Sequence, residues 1–445
     1  MFFEINSAIG SFVWGPPMLA IFLGTGFFLS VRSGFFQITG IKHWLGKTVI
    51  SAFANKSKNR TESGSISQFS ALTSALAACL GTGNIIGVAT AICSGGAGSL
   101  FWMCVSAILG MMTCCCENIL GIKYRLRDSL GKFKGGPMHY IEHGLKMKGL
   151  ARTYAVLLVG ASLGMGNMTQ ANSIAQGMNG FGISSKVTAI FLCVLVGIAI
   201  SGGLERISKI SEKLIPVLTV GFVIACFIII IKNYEKLLPC IKYVVKEAFT
   251  LKAVGGFGMA KAARYGISRG VFSNEAGLGS SAVIHAAADC KCAGEQGMWG
   301  ILEVFIDTVF MCSVTGAAIL VSGVWTPETS LNGAQLCSAV FESVFGKAGG
   351  YFLNARICLF AFATLIAWSY YGKCGSEYLF GGKAGKIYNA FYIVAAFTGC
   401  LVKLENVWSI SDTLNGLMAV PNLFAVILLG KEAIEELKSS CTDLK

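Results

Sequence analysis

From position 63 to position 116 the chain runs for 54 residues without an Asp, Glu, Lys, Arg or His, and the middle of this apolar stretch holds Gly81-Thr82-Gly83-Asn84. A helix interrupted there offers unpaired N–H groups and a positive dipole end, which suit an anion, typically a carboxylate. The amides of Thr82, Gly83 and Asn84 take that position, and glycine lets a ligand come close to the backbone. Carbonyls freed just before the break, at Ala77, Cys79 and Leu80, could bind sodium or an ammonium group, so the combination suits a zwitterion. A second polar, glycine-rich interruption runs Phe272-Ser273-Asn274-Glu275-Ala276-Gly277-Leu278-Gly279. Ser273 and Asn274 supply further oxygens there, and Phe272 could form one wall. Glu275 reads first as a cap on the half-helix that follows, and only second as a direct substrate contact or proton carrier.

Other polar residues interrupt the apolar background. Arg269, one and a half turns before Glu275, reads as lying at the external interface, where it could pair with Glu275 or a gate residue. Glu303 and Asp307, spaced i,i+4, are expected near the internal end of their helix, meeting water or lysine. Gly166-Asn167-Met168-Thr169-Gln170 marks one more helix, and Thr364 with Trp368 one turn later marks another. A lone Gln or Thr in such a helix usually bonds a neighbour. Cys290-Lys291-Cys292, with His285 nearby, lacks the paired spacing of a zinc site. Most of the 17 cysteines lie within apolar segments, as in Cys114-Cys115-Cys116, and act as small apolar residues. No HExxH, clustered Asp or Ser/His arrangement falls in these segments, which argues against a membrane-embedded enzyme.

The elements that must position these groups are membrane helices. A chain of 445 residues that is 54% hydrophobic and 13% charged is a polytopic membrane protein, all-α, rather than a soluble domain. A bilayer core takes about 20 apolar residues per crossing, and on that basis eleven crossings are expected, the first at 8–31 and retained rather than cleaved. The first helix has no ionisable residue after Glu4 and reads as peripheral and lipid-facing. The segment after it, through Phe35-Phe36-Gln37-Ile38 and Ile41-Lys42-His43-Trp44, reads as a helix lying in the inner interface. If the N-terminus is outside, the internal loops and tail hold 24 of the 36 basic residues, as the positive-inside rule expects, and the C-terminus is cytoplasmic. The net charge of +13 thus reads as topology, and no aromatic–basic interleaving suggests nucleic acid.

The layout repeats. Crossings two to six span 68–231 and crossings seven to eleven span 266–429, each block covering 164 residues at an offset of 198. Residues 1–67 precede the repeat as a helix and interfacial segment, 232–265 form an external loop with a short surface helix near 240–250, and 430–445 form a tail. Five crossings per block is an odd number, so the halves insert with opposite orientation. Broken helices at matching places in two inverted halves point to a transport site at the midplane, built where irregular backbone lines a cavity rather than facing lipid. That symmetry also sets Gly166 opposite Thr364 and raises the functional reading of both segments.

The runs 78–89 (with Gly81-Thr82-Gly83-Asn84), Gly135-Gly136-Pro137-Met138, Gly164-Met165-Gly166-Asn167-Met168, 269–279 and Trp368-Ser369-Tyr370-Tyr371-Gly372 resemble the alanine or glycine:cation symporter family. The resemblance implies a leucine-transporter-type five-plus-five fold, a transported sodium ion and uptake of a small neutral amino acid, alanine or glycine first, across the cell membrane. By similarity, Thr82 and Gly83 would hold the carboxylate, with Asn84 beside them. Gln170 and the Phe272–Ser273 backbone would meet the amino group, and Phe272 and Trp368 would close the side-chain pocket. Sodium would sit between the Ala77 and Leu80 carbonyls and Thr364, and Asn84 and Ser273 match positions that hold a second sodium in distant relatives. Another amino acid such as glutamine, or proton coupling, is the alternative. A channel is disfavoured because broken helices in inverted halves favour alternating access. No obligate protein partner is evident beyond the lipid bilayer.

Overall fold

The computed structural model describes residues 2–54, 64–128, 131–251, 258–402 and 405–442. In chain order, the elements used below are α1 (Glu4–Ser33), α2 (Gln68–Cys79), α3 (Gly83–Gly95), α4 (Ser99–Lys123), α5 (Lys148–Asn179), α6 (Ser185–Ser201), α7 (Gly203–Lys232), α8 (Met259–Asn274), α9 (Ser280–His285), α10 (Ala293–Ser322), α11 (Lys347–Phe380), α12 (Ala384–Leu401) and α13 (Ser409–Cys441). Seven of these helices are long and apolar enough to cross a membrane, and the bent pair α2–α3 makes an eighth. The other expected crossings are α6, the α8–α9 pair and α12. α6 has only 17 residues, and α8 carries Lys261 and Arg264 in its first half and Arg269 in its second.

Both expected interruptions are real breaks in helix. α2 starts on a Ser67 cap, whose hydroxyl accepts the Ser70 amide at 3.0 Å, and ends where Leu80 turns to ψ 83°. α3 resumes at Gly83 in a π-helical turn, 54° off the axis of α2. The second break runs from Glu275 to Gly279. Glu275 is left-handed at φ 56°, an uncommon state for a residue with a Cβ, and Gly277 and Gly279 follow at φ 97° and 77°. A side chain at Gly279 would sit on Pro137 and Asn422, so chain path and packing both demand glycine there. A buried network fixes this loop. The Gly277 amide donates to Glu117 at 3.0 Å, the Asn422 amide to the Gly277 carbonyl at 2.9 Å, and the Tyr154 hydroxyl to the Leu278 carbonyl at 2.9 Å.

Two expectations about the N-terminal region are corrected. α1 keeps an exposed apolar face, with Phe12, Phe27 and Val31 more than half exposed, but it is not only lipid-facing. Trp14 meets the Phe272 ring edge-on at 6.2 Å, Phe22 packs under Gly277, and the Trp14 indole donates to the Asp412 carbonyl at 3.0 Å. The segment after α1 does not lie wholly in the interface either, because Trp44 is buried against Phe305 at 6.0 Å and donates to the Gln37 carbonyl. Trp44 serves helix packing, while Phe35, Ile38 and Ile41 stay exposed. The short surface helix expected near 240–250 is present as Leu237–Ala248.

The two broken helices are tied together at one end. The Ile66 amide donates to the Ala287 carbonyl at 3.1 Å, and the Asp289 amide donates to the Ile66 carbonyl at 2.8 Å. Arg125 adds bonds from Nη1 to the carbonyls of Ala286 at 3.1 Å and Ala288 at 2.6 Å. At the other end, α1, α8 and α13 enclose a cavity of about 130 Å³ lined by Trp14, Arg264, Tyr265, Ser268, Arg269, Phe272 and Asp412.

Candidate functional site

The two breaks face one another. A Cβ built on Gly83 would lie 3.6 Å from the Cα and Oγ of Ser273, so the amide turn of one break borders the polar turn of the other. Gly83 keeps some exposed surface while Thr82 and Asn84 beside it are buried. On the far side of the first break the backbone comes close to α11, where a Cβ on Gly81 would lie 2.7 Å from the Thr364 hydroxyl. That hydroxyl is buried and has no hydrogen-bond partner among the described residues. An unsatisfied buried hydroxyl costs about 1–3 kcal/mol, so it argues for a ligand. The Gly81 amide, which a continuous helix would give to the Ala77 carbonyl, donates instead to Asn84 Oδ1 at 3.2 Å. The freed Ala77 carbonyl, the turned Leu80 and Thr364 are neutral oxygens of the kind a hard monovalent cation takes.

Trp368 on α11 is fully buried, and its indole donates to Glu275 at 3.2 Å. Its inner atoms lie where any side chain at Gly166 would be, so α5 and α11 meet there, and its ring stands edge-on to Tyr371 at 5.2 Å. Glu275 also accepts from Ser280, the first residue of α9. It does not cap α9 as expected, because the position before that helix is Gly279 and no side chain caps it; Glu275 instead ends α8, and its two side-chain bonds offset the roughly 1–2 kcal/mol cost of its left-handed backbone. Gln170, buried on α5 just past a π-helical turn, donates to the Met165 carbonyl at 3.1 Å and leaves Oε1 without a partner among the described residues. π-helical turns gather at functional positions, and this chain carries them beside Gly83, Gln170 and Asp307.

The expectation for Glu303 and Asp307 is overturned, since both are 0% exposed and neither pairs with a lysine among the described residues. Asp307 joins the two breaks. Its carboxylate accepts from Asn84 Nδ2 at 2.7 Å, Ser273 Oγ at 2.9 Å and Thr308 Oγ1 at 2.7 Å. Such charge-assisted bonds are worth about 1.5–3 kcal/mol each, which explains how a carboxylate persists there. Glu303 faces Ser281 and His285. The i,i+4 spacing of the pair was the usable signal, because it puts both carboxylates on one helix face, and that face turned inward. Glu117 gave no such signal: α4 continues past the cysteine triplet to Lys123 and carries it into the core. Arg269 does not pair with Glu275. It lies over the Phe272 ring at 5.7 Å and lines the cavity with Asp412, the two forming no ion pair there.

Helices broken in the middle, with their turns opposed around orphaned polar groups and closed at one end, define a secondary transporter of the leucine-transporter-type fold. A crystal structure of MhsT in complex with L-phenylalanine superposes with a TM-score of 0.57 at 12% identity, over 85% of this chain and 100% of that one. The chain belongs to the sodium:alanine symporter family, whose profile matches residues 1–444. It is therefore a transporter and not an enzyme. It is 39% identical to the sodium/alanine symporter AgcS of Methanococcus maripaludis over 445 residues, 98% of this chain and 97% of that protein. It is also 33% identical to GlnT of Bacillus subtilis, named a probable sodium/glutamine symporter, over 96% of this chain and 88% of that one.

Proposed function

We propose that the protein couples uptake of a small neutral amino acid, alanine or glycine, to one sodium ion by alternating access. The observation that carries the reading is Thr364, a buried hydroxyl with no partner among the described residues, set against the break that frees the Ala77 carbonyl. In this reading sodium sits among the Ala77 and Leu80 carbonyls and the Thr364 hydroxyl. The Thr82 and Gly83 amides hold the substrate carboxylate, with Asn84 behind them. Gln170 Oε1 and the Phe272–Ser273 backbone accept the ammonium, and Phe272 and Trp368 bound the side-chain space. Asn84 and Ser273 both donate to Asp307, so that corner fixes the two breaks to each other.

The N-terminus faces outside and the C-terminus inside, with residues 68–231 and 266–429 as the inverted five-helix halves. The cavity beside Phe272 is then the outer entry, and the Ile66–Ala287 pairing with the Arg125 clamp is the inner closure. The glutamine named for GlnT is the competing substrate, and competition between alanine, glycine and glutamine for uptake distinguishes them.

The test of the ion site is the sodium midpoint of uptake. Thr364→Ala removes one oxygen from a cation that needs several, whereas Thr364→Ser keeps it. Because ion and amino acid share the broken helix, the loss is reciprocal and the alanine variant binds both more weakly. The expected result is a sodium midpoint raised about tenfold in Thr364→Ala, rescued by high sodium, with Thr364→Ser near wild type. An unshifted midpoint in Thr364→Ala removes the residue from the ion site.

A further inference from the structure

The helix Leu237–Ala248 presents an apolar stripe that no described residue covers. Leu237, Cys240, Val244 and Ala248, at i, i+3, i+7 and i+11, turn toward the bundle and pack on its core. Beside that face Leu238, Ile241 and Val245 form a second stripe at i, i+3 and i+7, and they are 61%, 52% and 45% exposed. Tyr234 before the helix and Phe249 and Leu251 after it are exposed as well. Lys242 and Lys246, one turn apart, border the stripe, with Lys232 and Lys236 toward the start of the helix. None of these four lysines has an ion-pair partner among the described residues. Glu235 opposes them, while Glu247 sits on the packed side with its backbone against Gly98.

The two ends of the helix set its depth. α7 finishes at Lys232, and only Asn233 and the turn Tyr234–Lys236 separate it from the helix. The exposed apolar residues of the last turns of α7, Ile224, Phe227 and Ile231, thus run on into Tyr234 and Leu238. At the other end the Trp102 indole donates to the Ala248 carbonyl at 3.0 Å, and Phe249 stands edge-on to Phe101 at 5.0 Å. Phe101 and Trp102 belong to the first turn of α4, where aromatic side chains mark a membrane boundary. Pinned between the end of one membrane helix and the start of another, the helix lies flat along that boundary. An apolar stripe with lysines at its edge is the pattern of an interfacial helix, whose lysines reach up to the headgroups. These lysines also stand in a loop expected outside, against the charge bias that sets the topology, and headgroup binding gives them a use there.

We propose that Leu237–Ala248 is a lipid-docking helix. Leu238, Ile241 and Val245 enter the outer leaflet, and Lys242 and Lys246 bind the anionic phospholipid headgroups above them. Docking holds the outer end of α8 in place. The Met259 amide, at the start of α8, donates to the Thr250 carbonyl just past the docked helix at 2.9 Å. The first half of α8 then packs closely on α3 and α4, where side chains at Gly95 and Gly266 would sit on Tyr265 and Ser99. Further along, α8 brings Arg269 and Phe272 to the outer cavity. A lipid that binds only the docked helix favours the arrangement of α8 seen here, and with it the outer entry. The inference rests on the reading above for which side is outer.

Two measurements test it. In proteoliposomes of phosphatidylcholine, replacing about a third of the lipid with phosphatidylglycerol raises sodium-driven alanine uptake by about threefold or more. Each lysine near an anionic surface is worth about fivefold in lipid affinity. The double variant Lys242→Gln with Lys246→Gln therefore matches wild type in neutral lipid and loses at least about half of the rise, whereas Lys242→Arg with Lys246→Arg keeps it. Wild-type uptake indifferent to the anionic lipid, or an undiminished rise in the glutamine variant, overturns the proposal. The second measurement needs no transport. The photo-reactive residue p-benzoylphenylalanine at Ile241 captures phosphatidylglycerol labelled in its acyl chains, and at Pro239, on the opposite side of the helix, it does not. No lipid at Ile241, equal capture at both positions, or capture of a second copy of the chain refutes docking. If sodium-driven uptake is absent from the wild type in every lipid, the symport reading fails while the capture experiment still decides the docking.

Discussion

Gly83 is the residue at which substrate and backbone would come closest. A Cβ there stands at ordinary contact distance from Ser273, 3.6 Å, so Gly83→Ala fits the fold. The branched γ-methyls of Gly83→Val instead fill the gap between the two breaks, where the carboxylate is placed. The expected outcome is that Gly83→Val reaches the membrane in normal amount and loses uptake by about 100-fold or more, while Gly83→Ala keeps a measurable fraction with a raised KM. Uptake by the valine variant at the wild-type rate would show that the first break is not the carboxylate site. At this scale the sequence was legible where residue type is constrained by backbone shape: Gly81, Gly83, Gly277 and Gly279 announced their turns. It was least legible for charges. Glu303 and Asp307 looked like residues at a helix end, because an ionisable side chain in lipid is costly, and Glu117 drew no reading at all. Only the three-dimensional partners, the Gly277 amide for Glu117 and Ser281, Asn84 and Ser273 for the others, show why they are tolerated in the core.

Between elements, the joint that in the proposed function decides which way the protein opens is the pairing of the strand-like residues before α2 with those after α9. Four backbone carbonyls take part, and Arg125 supplies two of the bonds. Hydrogen bonds to a charged donor are worth about 1.5–3 kcal/mol, so losing the Arg125 clamp shifts the equilibrium toward inner opening by a factor of about ten or more. A carrier that spends less time closed on the inside offers its outer site less often, and its apparent affinity falls in proportion. Arg125→Ala is therefore expected to raise the external sodium midpoint about tenfold and to increase labelling of a cysteine placed at Ile66. Unchanged labelling would mean that Arg125 does not hold the closure. The sequence placed both broken helices correctly, since polar glycine-rich runs inside apolar stretches have few other uses. It did not reveal this joint, because Ile66, Ala287 and Ala288 bond through their backbones and carry no mark in their side chains. Nor did it show that α1 reaches the site, since Trp14 and Phe22 look like any lipid-facing aromatics until Phe272 and Gly277 are set beside them.

For the whole molecule, the proposed function puts ion, amino acid and closure on the same two broken helices. The first break offers amides on one side and freed carbonyls on the other. The second contributes Phe272 and Ser273, and Asp307 pins the two together. A ligand that stabilises this junction changes both ends at once, which is the physical content of coupled transport. The overall fold was readable because its signals are long-range and redundant: 54 uncharged residues, a repeat at an offset of 198 and a charge bias between loops each pointed to the same architecture. Substrate identity was not readable, because in the proposed site it depends on the few atoms by which Phe272, Trp368 and Gln170 would bound the pocket. The most direct measurement of the central claim is uptake of labelled alanine into proteoliposomes under an imposed sodium gradient, with potassium replacing sodium as control. Saturable uptake above equilibrium that requires inward sodium and carries one net positive charge per alanine is the predicted result. Uptake that proceeds equally in potassium, or that a proton gradient alone drives, would contradict sodium coupling.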